Sequence, residues 1–238
     1  MPSQPNFHRT PQGTFGVWSV EPEDVVEVWS YRASLSVVAA AFCAGTLAAL
    51  APEDASWAAA LQGGGTWLAV AGGSGMAVAT ALIHIYVAPM KRLLQALLAA
   101  GAAGAAYLAA AHPDVPLPAY VAAHPDAVWL VGPAFASLTG ICFKEGVCYG
   151  KPESLALALL IPCWLLGHLS GLVPQAGEQG LAAATALLLA LFAARKYTQP
   201  LKDDIGDKSV FEFYKLSEEE QQRRIQEMRQ QGVIGDER

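Results

Sequence analysis

The chain has 238 residues, of which 53% are hydrophobic and only 15% charged, with a mean hydropathy of +0.32, and this excludes a soluble domain with an ordinary charged surface. The net charge of −6 gives no basic face for nucleic acid, since the segments that hold all 15 lysines and arginines also hold 16 of the 21 acids. Charge-free runs decide the class: a bilayer core about 30 Å thick needs roughly 20 apolar residues at 1.5 Å each.

Residues 1–32 lack the apolar core of a signal peptide, and Glu21, Glu23, Asp24 and Glu27 make them too acidic for a transit peptide. Pro22, then Val25, Val26, Val28 and Trp29 between acids, predicts a short helix at the membrane interface ending in Tyr31-Arg32. The first span is expected at Ala33–Ala51, where it acts as signal anchor, and a longer, glycine-rich second span at Thr66–Ala88. The others are expected at Leu93–Ala111, Ala127–Phe143, Ser154–Val173 and Gly180–Ala194. An earlier start for the last one, at Ala176, would draw Glu178 into it. Lys202–Leu216 reads as a polar linker carrying Phe211, Phe213 and Tyr214, and Ser217 with Glu220 forms a capping box that starts a polar helix reaching about Gln231. Its apolar edge is only Ile225 and Met228, which suits a solvated tail or a docking helix for a partner.

The predicted fold class is all-α, a six-helix transmembrane bundle. Residues 1–32 form an inner-side segment, 33–195 the membrane domain and 196–238 an inner-side linker and helix. The connections Pro52–Gly65, His112–Asp126 and Pro174–Gln179 contain acids but no lysine or arginine. Arg9, Arg32, Lys91, Arg92, Lys144, Lys151 and the nine basic residues after the sixth span all fall on the other side, so both termini are expected on the cytoplasmic or stromal side. No polybasic cluster marks an anionic-lipid site, and Cys43, Cys142, Cys148 and Cys163 avoid the acidic loops, so no disulfide framework is expected.

Small residues recur at four-residue spacing: Ala71, Gly75, Ala79; Gly132, Ala136, Gly140; Gly167, Gly171. Such faces allow close helix packing, within the bundle or against other membrane proteins. His84 and His168 fall at depths differing by about 15 Å, which rules out a shared metal ion. Each suits an interhelical hydrogen bond or, separately, axial ligation of a tetrapyrrole. The densest chemistry lies in Thr139–Glu153. There Lys144 and Glu145 reach about the depth of His84, with Cys142 and Cys148 nearby, so His84, Lys144, Glu145, Cys142 and Cys148 form the candidate binding cluster, with His168 apart from it. The alternative is that Lys144 and Glu145 snorkel to the interface. The cysteine spacing matches no zinc or iron–sulfur motif, and no zincin, nucleophile-elbow or phosphate-loop pattern occurs.

The Thr139–Glu153 stretch, Arg195-Lys-Tyr197 and the Lys208–Leu216 segment resemble an uncharacterised family of integral membrane proteins of cyanobacteria and plastids. The resemblance covers most of the chain and implies a thylakoid or plasma membrane of a photosynthetic lineage; it supplies no activity and no catalytic residue. Three functional classes follow. An accessory or assembly protein of a membrane complex, which the resemblance implies to be a photosynthetic one, fits the small-residue faces and the polar C-terminal helix. A small transporter or channel would use the polar cluster at the inner mouth of spans two, four and five, with Pro133 and Pro162 breaking spans four and five. An intramembrane enzyme would need a reactive Cys142 or Cys148 beside Lys144.

Overall fold

The computed structural model describes residues 13–52 and 54–230, and these fold as helices α1 (Pro22–Leu50), α2 (Ser56–Gly63), α3 (Gly65–Leu82), α4 (Ala88–Ala111), α5 (Leu117–Ala123), α6 (Val128–Tyr149), α7 (Pro152–Ser170), α8 (Gln175–Lys196), α9 (Leu201–Ile205), α10 (Lys208–Lys215) and α11 (Glu218–Gln230). A 3-10 turn, Pro125–Ala127, leads into α6. Six of the helices are long and apolar enough to cross a membrane. The described residues divide into two compact units, 29–199 and 13–28 with 200–230.

Several boundaries differ from the sequence reading. Pro22 opens a helix, but that helix runs unbroken into the first span as one 29-residue element, about 43 Å long and so longer than a hydrocarbon core. The second span stops at Leu82, six residues early, because its last carbonyls find other donors: Lys91 Nζ bonds Ala81 O at 2.7 Å and Gln95 Nε2 bonds Thr80 O at 3.3 Å. The last span starts at Gln175, so Glu178 lies in its first turn, where an acid complements the helix dipole. Pro133 and Pro162 do not break α6 or α7. Gly171, read as a packing residue, is instead the left-handed cap of α7, with φ 65°.

In the Trp29–Gln199 unit, α6 packs against α4 and α7, and α7 against α8. Glycines permit the closest approach: a Cβ on Gly101 would run into the backbone of Ala134, and one on Gly104 into the carbonyl of Leu130. The main core joins Leu35 and Val38 of α1, Met76 and Ala79 of α3, Leu94 and Leu98 of α4, Leu138 and Ile141 of α6, Leu157 and Ile161 of α7, and Leu189 and Phe192 of α8. A smaller cluster of Leu108, Leu117, Ala127 and Val131 lies where α5 covers α4 and α6. Trp57, Trp67, Tyr107 and Trp129 are exposed near the acidic connections, and Trp29, Tyr86 and Tyr197 near the basic ones, the two aromatic girdles of a membrane-spanning bundle.

The other unit is more ordered than a polar linker. Gly206, at φ 75°, separates α9 from α10, and Asp207 caps α10 by accepting from Ser209 N at 2.9 Å. Phe15 stacks on Phe213 with ring centroids 3.9 Å apart, and Asp207 also accepts from Thr14 N at 2.5 Å. Lys208 bonds Asp24 at 2.9 Å and Glu21 at 3.3 Å, and Arg224 bonds the Phe15 carbonyl at 2.9 Å. The capping box is formed: Glu220 accepts from Ser217 N at 3.0 Å, and Ser217 Oγ from Glu220 N at 3.4 Å. Met228 is buried and Ile225 half-buried; Gln231, the expected end of α11, lies outside the described residues, as does Glu53.

Candidate functional site: a four-donor carboxylate

Glu145 stands one turn before the end of α6 and is fully buried. Beyond Tyr149 the chain reverses in two residues: Gly150, at φ 61°, adopts the left-handed cap conformation that a Cβ disfavours, and Lys151 takes the extended cap position of α7. That turn aims Lys151 back at Glu145. Lys196, the last residue of α8, arrives from a second direction and Tyr31 of α1 from a third.

The carboxylate accepts from all of them. Oε1 takes Tyr31 Oη at 3.1 Å and Lys144 Nζ at 3.1 Å, while Oε2 takes Lys196 Nζ at 2.9 Å and Lys151 Nζ at 3.2 Å. An ionised carboxylate offers about four acceptor positions, so this one is saturated. Gln199 Oε1 accepts from Lys151 and, at 3.3 Å, from Lys196; Tyr149 Oη accepts from Lys144 at 3.2 Å. The ammonium groups also lie over aromatic faces: Lys144 is 4.7 Å from the Tyr149 ring centroid, and Lys196 is 5.0 Å from that of Tyr31. Arg32, likewise buried, bonds the Gln199 carbonyl at 2.8 Å. On the same side Arg195 pairs with Glu153 at 2.6 Å, linking α8 to α7.

Lys144 and Glu145 therefore meet as an ion pair, and Glu145 does not snorkel. His84 is not a partner of Glu145: with α3 ending at Leu82, it sits in the non-helical connection to α4. Cys142 is buried in the core and Cys148 exposed, because six residues place them about 120° apart around α6. His168 lies in the last turn of α7 with both ring nitrogens engaged, Nδ1 to Glu178 at 3.0 Å and Nε2 to the Val121 carbonyl at 3.1 Å, so neither points to an open axial position. Among the described residues no group of three His, Cys, Asp or Glu side chains is placed to hold a metal ion.

Lys151, Lys196, Tyr31 and Gln199 were missed as site residues. Two signals pointed to some of them: the Arg195-Lys-Tyr197 and Thr139–Glu153 stretches carried the family resemblance, and both supply the hub. Their convergence on one carboxylate is a tertiary fact, since Lys196 is 51 residues from Glu145 and Tyr31 is 114 residues away.

No solved structure matches the chain. A curated protein of Haemophilus influenzae, described as "Uncharacterized protein", is 30% identical over 87 residues, or 35% of this chain and 48% of that protein, so the chain spans about half the length of the curated relative it matches. A family described as "Uncharacterized integral membrane protein (DUF2301)" matches residues 78–213, a stretch that includes Lys144, Glu145, Lys151, Lys196 and Gln199 but stops short of Tyr31. That match takes in more than half of the 238 residues and agrees with the six apolar helices: the chain belongs to this family of uncharacterised integral membrane proteins.

Proposed function

We propose that the protein is an accessory or assembly component of a membrane complex. The observation that carries this reading is the saturation of Glu145. The deepest carboxylate of the α6–α7 end uses all its acceptor positions to tie α1, α6 and α8 and the α6–α7 turn together, leaving none for a passing solute. Transporter substrate sites are commonly lined by discontinuous helices, whereas α6 and α7 run intact through their prolines. The reading is also supported by glycines on outward faces. Among the described residues, and apart from the helix's own backbone, no atom lies within 4 Å of a Cβ built on Gly45 of α1, Gly73 of α3 or Gly180 of α8, so another membrane protein's helix can approach there closely.

The one-sided lysines and arginines favour an orientation with both termini in the cytoplasm. The Haemophilus influenzae relative, from outside cyanobacteria and plastids, favours a plasma membrane over a thylakoid and a complex that is not specifically photosynthetic. The test is extraction in a gentle detergent followed by native electrophoresis and identification of companions. A reproducible assembly containing other membrane proteins is the expected result. A monomer without companions in repeated extractions overturns the proposal, and saturable solute flux in proteoliposomes would replace it with transport.

A further inference from the structure

We propose that His168 and Glu178 form a proton-binding clasp that holds the short helix α5 onto the acidic end of the bundle. His168 is mostly buried and touches two oxygen atoms, Glu178 Oε2 through Nδ1 at 3.0 Å and Val121 O through Nε2 at 3.1 Å. A backbone carbonyl only accepts, so Nε2 must carry a hydrogen. A second hydrogen must then lie between Nδ1 and Glu178, because otherwise two lone pairs would face each other at hydrogen-bond distance. The closed clasp thus holds one proton more than a neutral imidazole beside an ionised carboxylate, whichever of the two groups is regarded as its owner.

Loss of that proton has a directional consequence. A neutral imidazole keeps one hydrogen, and its hydrogen bond to the carboxylate is the charge-assisted, stronger one. The hydrogen stays on Nδ1, a lone pair on Nε2 then faces the Val121 carbonyl, and α5 is released while α7 and α8 stay joined. The rest of α5 suits such a motion. Its start is tied to α3 by Leu117 N on Thr66 Oγ1 at 2.9 Å, and its last-turn carbonyls keep local donors, with His124 N and Nδ1 on Tyr120 O at 3.0 and 2.9 Å. The helix covers Leu108, Ala127 and Val131, so release of its C-terminal end opens the smaller apolar cluster.

The titratable neighbours are few. On α5 there is Tyr120, stacked between His112 and His124 with ring centroids 4.1 Å away on either side. The 3-10 turn before α6 holds Asp126, the connection before α5 holds Asp114, α8 offers Glu178, and α4 offers Tyr107. At this end α3 and α6 contribute no titratable group; on α7 itself Cys163 is the nearest, and Glu153 lies at the opposite end.

The test is hydrogen–deuterium exchange of the full chain in lipid nanodiscs between about pH 5 and pH 8, corrected for the intrinsic pH dependence of exchange. The expected result is a loss of protection of α5 amides by about tenfold as pH rises, the scale of one or two hydrogen bonds, with α7 unchanged. Glu178→Gln can donate from its amide to Nδ1, so the clasp closes without the extra proton and the pH dependence of α5 disappears. Selective nitrogen-15 labelling of histidine gives a second reading that needs no variant: with α5 protected, the His168 resonances should show a proton shared at Nδ1 and a proton on Nε2. Corrected protection that is the same at both pH limits, an equal pH dependence in Glu178→Gln, or a His168 lacking the Nε2 proton while α5 is protected would each overturn the proposal.

Discussion

A buried carboxylate among three ammonium groups is costly to dismantle one member at a time. Glu145→Gln keeps the shape but removes the charge that Lys144, Lys151 and Lys196 share. Breaking a buried ion pair by removing one partner costs about 3–5 kcal/mol, so the variant should unfold at a clearly lower temperature in detergent. An unchanged midpoint would mean that water already solvates the lysines. Asp207 makes a milder, pH-dependent prediction outside the membrane. Burial opposes its ionisation, but the hydrogen bonds from Ser209 and Thr14 outweigh that and hold its carboxyl below the usual range. A lowered folded-state value means that the stabilisation is complete above the unfolded value of about 3.9 and is lost as pH falls through the folded one. Protection of the Thr14 amide, corrected for the intrinsic pH dependence of exchange, should therefore fall at acid pH in the natural chain, and Asp207→Asn should show that lower protection already at neutral pH.

At the scale of elements, helix contacts in this chain depend on where a side chain is missing. Gly104 has the Leu130 carbonyl where a Cβ would go, so Gly104→Val must push α4 off α6, at about 1–3 kcal/mol for overpacking. Gly73 faces open space on α3, and Gly73→Ala should leave the melting temperature unchanged or slightly raised. Comparing the two by thermal unfolding in one detergent separates internal from outward glycines, and equal effects would contradict the packing. The four-residue spacing did not make this distinction. It picked out Gly132, whose added Cβ would meet only Val128 of its own helix, and passed over Gly101 and Gly104 on α4. A helix face can be read from sequence, but which face meets a neighbour depends on how the helix is rotated by all its contacts.

For the whole molecule, orientation and accessibility can be checked together. Reporter fusions at the two termini should both be active on the cytoplasmic side, and a membrane-impermeant thiol reagent should label exposed Cys148 from that side alone while sparing buried Cys142. Labelling of Cys148 from the opposite face would invert the proposed topology.

Six spans were legible in the sequence because the bilayer sets a length that any crossing helix must meet and penalises charge along it, so run length and charge placement carry the information locally. The same reasoning placed Glu145 and Lys144 among the residues to watch. The ends of the spans were less legible, since whether α3 continues past Leu82 depends on Lys91 and Gln95 reaching its last carbonyls from the next helix. Only the tertiary structure decided that Glu145 answers to Tyr31, Lys151 and Lys196 and not to His84, and that His168 joins Glu178 to α5. Hydropathy and charge are properties of a segment, whereas a hydrogen bond needs two groups within about 3 Å, and that separation is fixed by the packing of every helix between them.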